Sequence, residues 1–292
     1  MIREPVVAGR FYSARGDACR AELVALLASA AELQSTAQGE LLGGLVPHAG
    51  WMCSGPTAAK VFHALSVSKK KPASIVLFGG VHRHRGREAA LFTSGRWETP
   101  LGAVEVDSRL AERILGHTNL IVDDPYAHED EHSLEVQLPF IKHLFPDSKI
   151  VPLMVPATGS AHEVGEAVGR TLTAYDYNAM IVGTTDLTHY GPTYDFVPEG
   201  VGAKGNSWAK EINDPRFIEL VCEMKVAELV PEAVVHKNAC NAGATAATVA
   251  AVQALGATRG VLLEHTTSSE VLAGKLGPDA DDSVGYAGIV FM

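Results

Sequence analysis

Six short apolar runs, each followed by polar or turn residues, constrain this chain more than any other feature. They are LGGLVP at 42–47, SIVLFGG at 74–80, KIVPLMVP at 149–156, AMIVGTT at 179–185, GVLLEHT at 260–266 and GYAGIVF at 285–291. Their lengths suit buried strands. Residues 17–33, 54–66, 161–175 and 241–255 show the apolar spacing of helices between them. Strands alternating with helices predict an α/β fold around a mostly parallel central sheet. No repeat, low-complexity tract or Pro/Ser-rich linker divides the 292 residues, so residues 1–292 are expected to form one domain. The stretch VPEGVGAKGN at 197–206 is Gly-rich enough for a mobile loop.

Composition narrows the function classes. Hydrophobic residues make up 47% and charged residues 20%, which excludes disorder, coiled coil and collagen as overall descriptions. A formal net charge of −10 argues against a polyanionic partner such as nucleic acid, because phosphate binding relies on clustered Lys and Arg. No apolar run reaches the ~20 residues that cross a bilayer, and MIREPVVAGRFYS lacks the apolar core of a signal peptide. A cytoplasmic protein without a membrane partner is expected. Cys19, Cys53, Cys222 and Cys240 form no CxxC pair, as suits reduced thiols.

In open α/β sheets, ligands bind beyond the carboxyl ends of the strands. Here LGGLVP runs into His48, SIVLFGG into His82 and His84, and AMIVGTT into Asp186 and His189. Three strands thus deliver imidazoles to one rim. Cys240 stands at or just before the start of the small-residue helix from about 241, where free N–H groups and the helix dipole favour a thiolate. Any one of these histidines alone reads as a hydrogen-bonded structural residue. Independent strand ends meeting at a common edge are what assembling a site requires.

Other candidates have plainer explanations. His84 lies among Arg83, Arg85 and Arg87, a solvated basic loop, and ranks behind His82. In AHEDEHSLEVQLPFIKHLF at 127–145, His128 and His132 have i, i+4 spacing, yet no HExxH motif is present. Glu129, Asp130 and Glu131 read as the solvated acidic start of a helix, which Pro139 should bend or interrupt. Cys53 reads as a buried small hydrophobe, Cys19 and Cys222 as inert helix residues. His63, His117, His143, His162, His236 and His265 carry no motif.

REPVVAGRFY, PHAGWMCSG, VHRHRG, ETPLGAVEVD, DEHSLEVQLPFI, TTDLTHYG and a cysteine before a small-residue helix follow one another across nearly the whole chain. In this set the chain resembles the Memo-like family, whose bacterial members are often called AmmeMemoRadiSam system protein B. The resemblance implies a three-layer α/β/α fold similar to that of class III (LigB-type) extradiol dioxygenases. It also implies that His48, His82 and Cys240 hold a metal, sulfur replacing the dioxygenase carboxylate. His189 then matches an acid/base histidine, with Asp186 beside it, while His132 and Trp51 line the substrate pocket. Two departures stand out: Cys240 is followed by Asn241 rather than Gly, and Ser13 replaces a proline. The asparagine puts the local backbone in question, because glycine adopts conformations that Asn adopts less readily.

Two imidazoles and one anionic ligand leave open positions for substrate and dioxygen, as in non-heme Fe(II) oxygenases. The resemblance therefore favours Fe(II), while thiolate also suits Cu or Zn. Three functions follow: an oxidoreductase acting on a small chelating substrate, a non-catalytic adaptor for a peptide or small ligand, and a metal-dependent hydrolase. Partners among AmmeMemoRadiSam system proteins and a homo-oligomer are further expectations.

Overall fold

A computed structural model describes residues 1–31, 39–68, 71–82, 86, 88–276 and 280–292. His84, with Arg83, Arg85 and Arg87, lies outside the described residues. All six apolar runs are strands. The main sheet comprises β1 (Gly43–Val46), β2 (Ser74–Gly79), β3 (Ala89–Leu91), β4 (Ile121–Asp123), β5 (Lys149–Met154), β6 (Ala179–Thr184), β7 (His189–Tyr190), β8 (Gly260–Thr267) and β9 (Ser283–Phe291). Its order is β7-β9-β1-β6-β2-β5-β3-β4, and β8 also pairs with β9. Strands β1, β6, β2 and β5 run parallel. Antiparallel pairing enters through β9 against β1 and through β3 against β5. A small second sheet joins Ile2–Arg3 to Arg96–Trp97 and Val104–Glu105.

The strands are apolar throughout because both faces are covered. Alternate residues serve opposite faces: Val76, Phe78, Val151 and Leu153 enter one core, whereas Ile75, Leu77, Ile150 and Met154 enter the other. The second core contains residues of α1 (Gly16–Ala31), α2 (Trp51–Ser66) and α3 (Leu138–Leu144). The first contains residues of α4 (Ala161–Ala174), α5 (Asp214–Cys222), α6 (Val226–His236) and α7 (Ala242–Ala254). This is the expected α/β/α layering. Among the described residues, no helix is long and apolar enough to cross a membrane.

Helix α7 packs closely because its side chains are small. A Cβ at Gly165 of α4 would stand 2.0 Å from the Ala247 carbonyl oxygen, and one at Gly183 of β6 would stand 1.9 Å from Thr248 Oγ1. Small residues here let backbone reach backbone.

Two local expectations need correction. Residues 125–137 hold short 3-10 turns at Pro125–His128 and Glu135–Gln137 rather than an acidic helix start. Pro139 occupies the first turn of α3, where its missing N–H has no helical partner to lose, so it starts that helix instead of bending one. In the Gly-rich stretch, Gly200 and Gly202 take φ of 87° and 88°, and a helix begins at Ala203. The Tyr190 hydroxyl donates to Gly200 O at 2.7 Å and ties that stretch to β7.

Candidate metal centre

Strands β1, β6 and β2 are adjacent and parallel, so their carboxyl ends open onto the same rim. His48 follows β1, His82 follows β2, and Asp186 and His189 follow β6. His132 arrives from the 125–137 segment. One ligand atom from each of His48, His82 and His132 lies within 4.8 Å of the others, a group that can hold a metal ion. Ring centroids are 5.2 Å apart for His48 and His82, 5.5 Å for His48 and His132, and 4.5 Å for His82 and His132.

Hydrogen bonds orient these rings. His48 Nδ1 lies 2.7 Å from Thr184 Oγ1, leaving Nε2 toward the rim, 3.3 Å from Cys240 Sγ. Metal bonds of roughly 2.1 Å to nitrogen and 2.3 Å to sulfur, at tetrahedral or square angles, place adjacent donors about 3.1–3.6 Å apart. The His48–Cys240 pair has that separation. His82 Nδ1 meets Glu131 Oε1 at 2.9 Å, while the His82 N–H donates to Glu131 Oε2 at 3.1 Å. Glu131 is 1% exposed and also accepts from Ser133 N. A carboxylate behind an imidazole in this way sets its tautomer and raises its basicity as a ligand.

Burial, with the neighbouring His82 and His132, pushes the His48 pKa well down, so the ring is neutral and its contact with Asp186 is not an ion pair. Burial followed by His82 also lowers His132. At His82 burial acts in the same direction, but the Glu131 bond and charge outweigh it and raise the pKa. Glu131 itself lies well below the carboxylate range: burial opposes this, and His82 with the Ser133 and His82 N–H groups prevails.

Cys240 lies ahead of Asn241, the N-cap of α7. Solvent reaches the residue, yet protein surrounds its sulfur: Asp186 N donates to Sγ at 3.2 Å, and Cys240 N donates to Asp186 O at 3.1 Å. Without an ion, burial and then the Asp186 carboxylate raise the thiol pKa. Both effects act against the thiolate-favouring influence of the helix start. Asn241 has φ −126° and ψ 53°, a conformation that needs no glycine. The glycine requirement falls instead on Gly80, where a Cβ would stand 1.7 Å from the Asn241 amide.

Asp186 is 4% exposed and accepts from His48 N at 2.8 Å; burial raises its pKa, opposed by His189 and that N–H. His189 Nδ1 lies 3.1 Å from Leu187 O, an acceptor to which Nδ1–H donates. Trp51 sits in the packing below the rim, 2% exposed, with its indole N–H donating to Val136 O and its ring against Tyr12 and Phe140. The structure therefore gathers His48, His82 and His132 as the mutual group, with Cys240 on His48 and Asp186 behind both. Glu131 was missed by sequence reasoning. Its only signal was HEDEH, where three consecutive acids conceal the buried one.

A rim of histidines at the carboxyl ends of a parallel sheet defines the class: an α/β/α protein with a side-chain group able to hold a metal ion. The Memo-like protein profile matches residues 3–290, and the chain belongs to that family. It is 36% identical over 300 residues to a MEMO1 family protein of Pyrobaculum aerophilum, covering 99% of each chain. It is also 36% identical over 301 residues to one of Methanopyrus kandleri, covering 100% of this chain and 99% of that one. In fold it resembles an uncharacterized protein from Escherichia coli K12, with TM-score 0.50 and 13% identity over 84% of this chain and 99% of the other.

Proposed function

We propose that this chain is a metal-dependent oxidoreductase of the dioxygenase-like type, acting on a small chelating substrate and favouring Fe(II), with Cu or Zn as competing ions. The compact donor set carries the reading: three imidazoles within mutual reach and a sulfur at 3.3 Å from His48 Nε2. His48 and His82 with Cys240 or His132 would hold the ion. When bound, it supplies Lewis-acid and redox chemistry toward substrate and dioxygen. His189 accepts a substrate hydroxyl proton on Nε2 while Leu187 O holds its Nδ1–H in place. Asp186 fixes the floor by accepting from His48 N and bonding Cys240 through its own N–H and carbonyl. A working thiol at Cys240 suits a reducing compartment, which supports a cytoplasmic location.

The same four donors define the second reading. If all of them bind one ion, the site is closed and the cleft recognises a partner without turnover. Elemental analysis of protein purified without added metal, followed by oxygen-electrode measurements on anaerobically Fe(II)-loaded protein with catechols, separates the two. Oxygen uptake that disappears in His82→Ala and falls in Cys240→Ala is expected. A bound ion with uptake no greater than in His82→Ala would establish the closed, non-catalytic site.

A further inference from the structure

A cavity of about 460 Å³ opens beside the histidine group, and its lining includes His82 and His132 together with Arg10, Phe11 and Asp130. The Phe11 ring meets His132 edge-on at 5.2 Å. Arg10 is exposed, and its guanidinium makes no hydrogen bond or ion pair with any described residue.

The turn carrying Arg10 is rigidly held. Gly9, at φ 82°, donates to Tyr12 O at 2.7 Å; Arg10 N and Phe11 N both donate to Val7 O, at 3.0 and 2.9 Å. Trp51 N donates to Phe11 O at 2.7 Å. Beneath the turn, the fully buried Glu135 carboxylate accepts from Val6 N, Val7 N and the Tyr12 hydroxyl, and pairs with Arg3. A cation on a pre-organised turn loses little backbone freedom when a ligand arrives. An uncommitted guanidinium at the wall of a polar cavity is suited to a planar anion, which it can bind through two parallel N–H donors.

Resting on the reading above that this cleft binds a chelating substrate, we propose that Arg10 reads a carboxylate on that substrate, at the end away from the chelating group. The ligand class is a small carboxylic acid with an aromatic or alkyl body against Phe11. A carboxylate's single negative charge suits this wall. Only one uncommitted cation among the described residues lines the cavity, Asp130 shares the wall, and the chain carries a net charge of −10. Asp130 is solvent-exposed, so water screens its repulsion of one charge. The assignment makes Arg10 a specificity residue.

Two titrations on the full-length protein test this. In the first, chelator-stripped protein is titrated with phenylacetate and with benzyl alcohol by ligand-observed NMR. Saturable phenylacetate binding, at least about tenfold tighter than that of benzyl alcohol and weakened about tenfold by Arg10→Gln, is expected for a charge-assisted contact. Arg10→Lys should retain part of the preference, and thermal melts confirm that both variants fold. Absence of saturable phenylacetate binding, or equal binding by Arg10→Gln, overturns the assignment. In the second, Zn(II)-loaded protein and its His82→Ala variant are titrated with 4-methylcatechol, which chelates but carries no carboxylate. Equal or absent binding there refutes the chelating-substrate reading, while the phenylacetate result still decides the Arg10 site.

Discussion

Glu131 shows how a single buried residue governs the site. Its carboxylate takes the His82 ring nitrogen and backbone N–H together, so Glu131→Gln should leave His82 in place but weaken its orientation and basicity. Loss of such a partner commonly costs 10- to 100-fold in metal affinity. Zn(II) affinity measured by chelator competition is expected to fall by about that factor with an unchanged circular dichroism spectrum. His128, three residues earlier, has a different task. It is fully buried, its Nε2 lies 3.1 Å from Ala90 O, and burial lowers its pKa to about 3. Above about pH 6.5 the ring is neutral in both folded and unfolded chains. As pH falls from there toward 3, only the unfolded chain takes the proton, so stability drops by about 1.4 kcal/mol per pH unit. Urea denaturation of the wild type and His128→Gln at pH 7 and pH 5 should show a loss about 2 kcal/mol smaller in the variant. Both histidines of HEDEH were visible in the sequence, but which faced the rim was not. That depended on the 3-10 turn Pro125–His128 ending at His128 and the chain leaving helical geometry before His132.

Among the elements, α7 was the most legible. Its run of Ala, Gly and Thr announced a buried helix, and nearly all its residues are buried. The consequence for packing is testable at Gly165. An added methyl would meet the Ala247 backbone at 2.0 Å, and backbone cannot rotate away as a side chain can. Gly165→Ala is therefore expected to destabilise the protein by about 1–3 kcal/mol, read from the urea midpoint, despite the better helix propensity of alanine. The segment 125–144 was the least legible element. Its i, i+4 histidines and acidic start suggested a helix bent or interrupted at Pro139, but the buried Glu131 and Glu135 each bind partners distant in sequence. Glu135 binds Arg3 and the 6–12 segment, while Glu131 binds His82. Those long-range bonds outweigh local helix preference.

For the whole molecule, the donor groups come from residues as distant in sequence as His48 and Cys240, so a bound ion joins parts of the fold that separate on unfolding. An ion that binds the folded state at 100 times its dissociation constant stabilises it by about 2.7 kcal/mol. Zn(II) should accordingly raise the melting temperature by about 5 °C, and His48→Ala with His82→Ala should abolish the shift. Equal shifts in the double variant would place the ion elsewhere. The six apolar strands, their alternation with helices and the placement of His48, His82 and His189 after strands were contained in the sequence, whereas the short strands β3, β4 and β7 were not. Periodicity and strand length are local properties, and a parallel sheet carries its strand ends to one edge. Only the tertiary structure decided that His132 joins His48 and His82, that Glu131 supports His82, and that Trp51 lies in the packing beneath. Each of those outcomes depends on which buried polar group finds a partner more than forty residues away, and chain-local patterns carry no record of that distance.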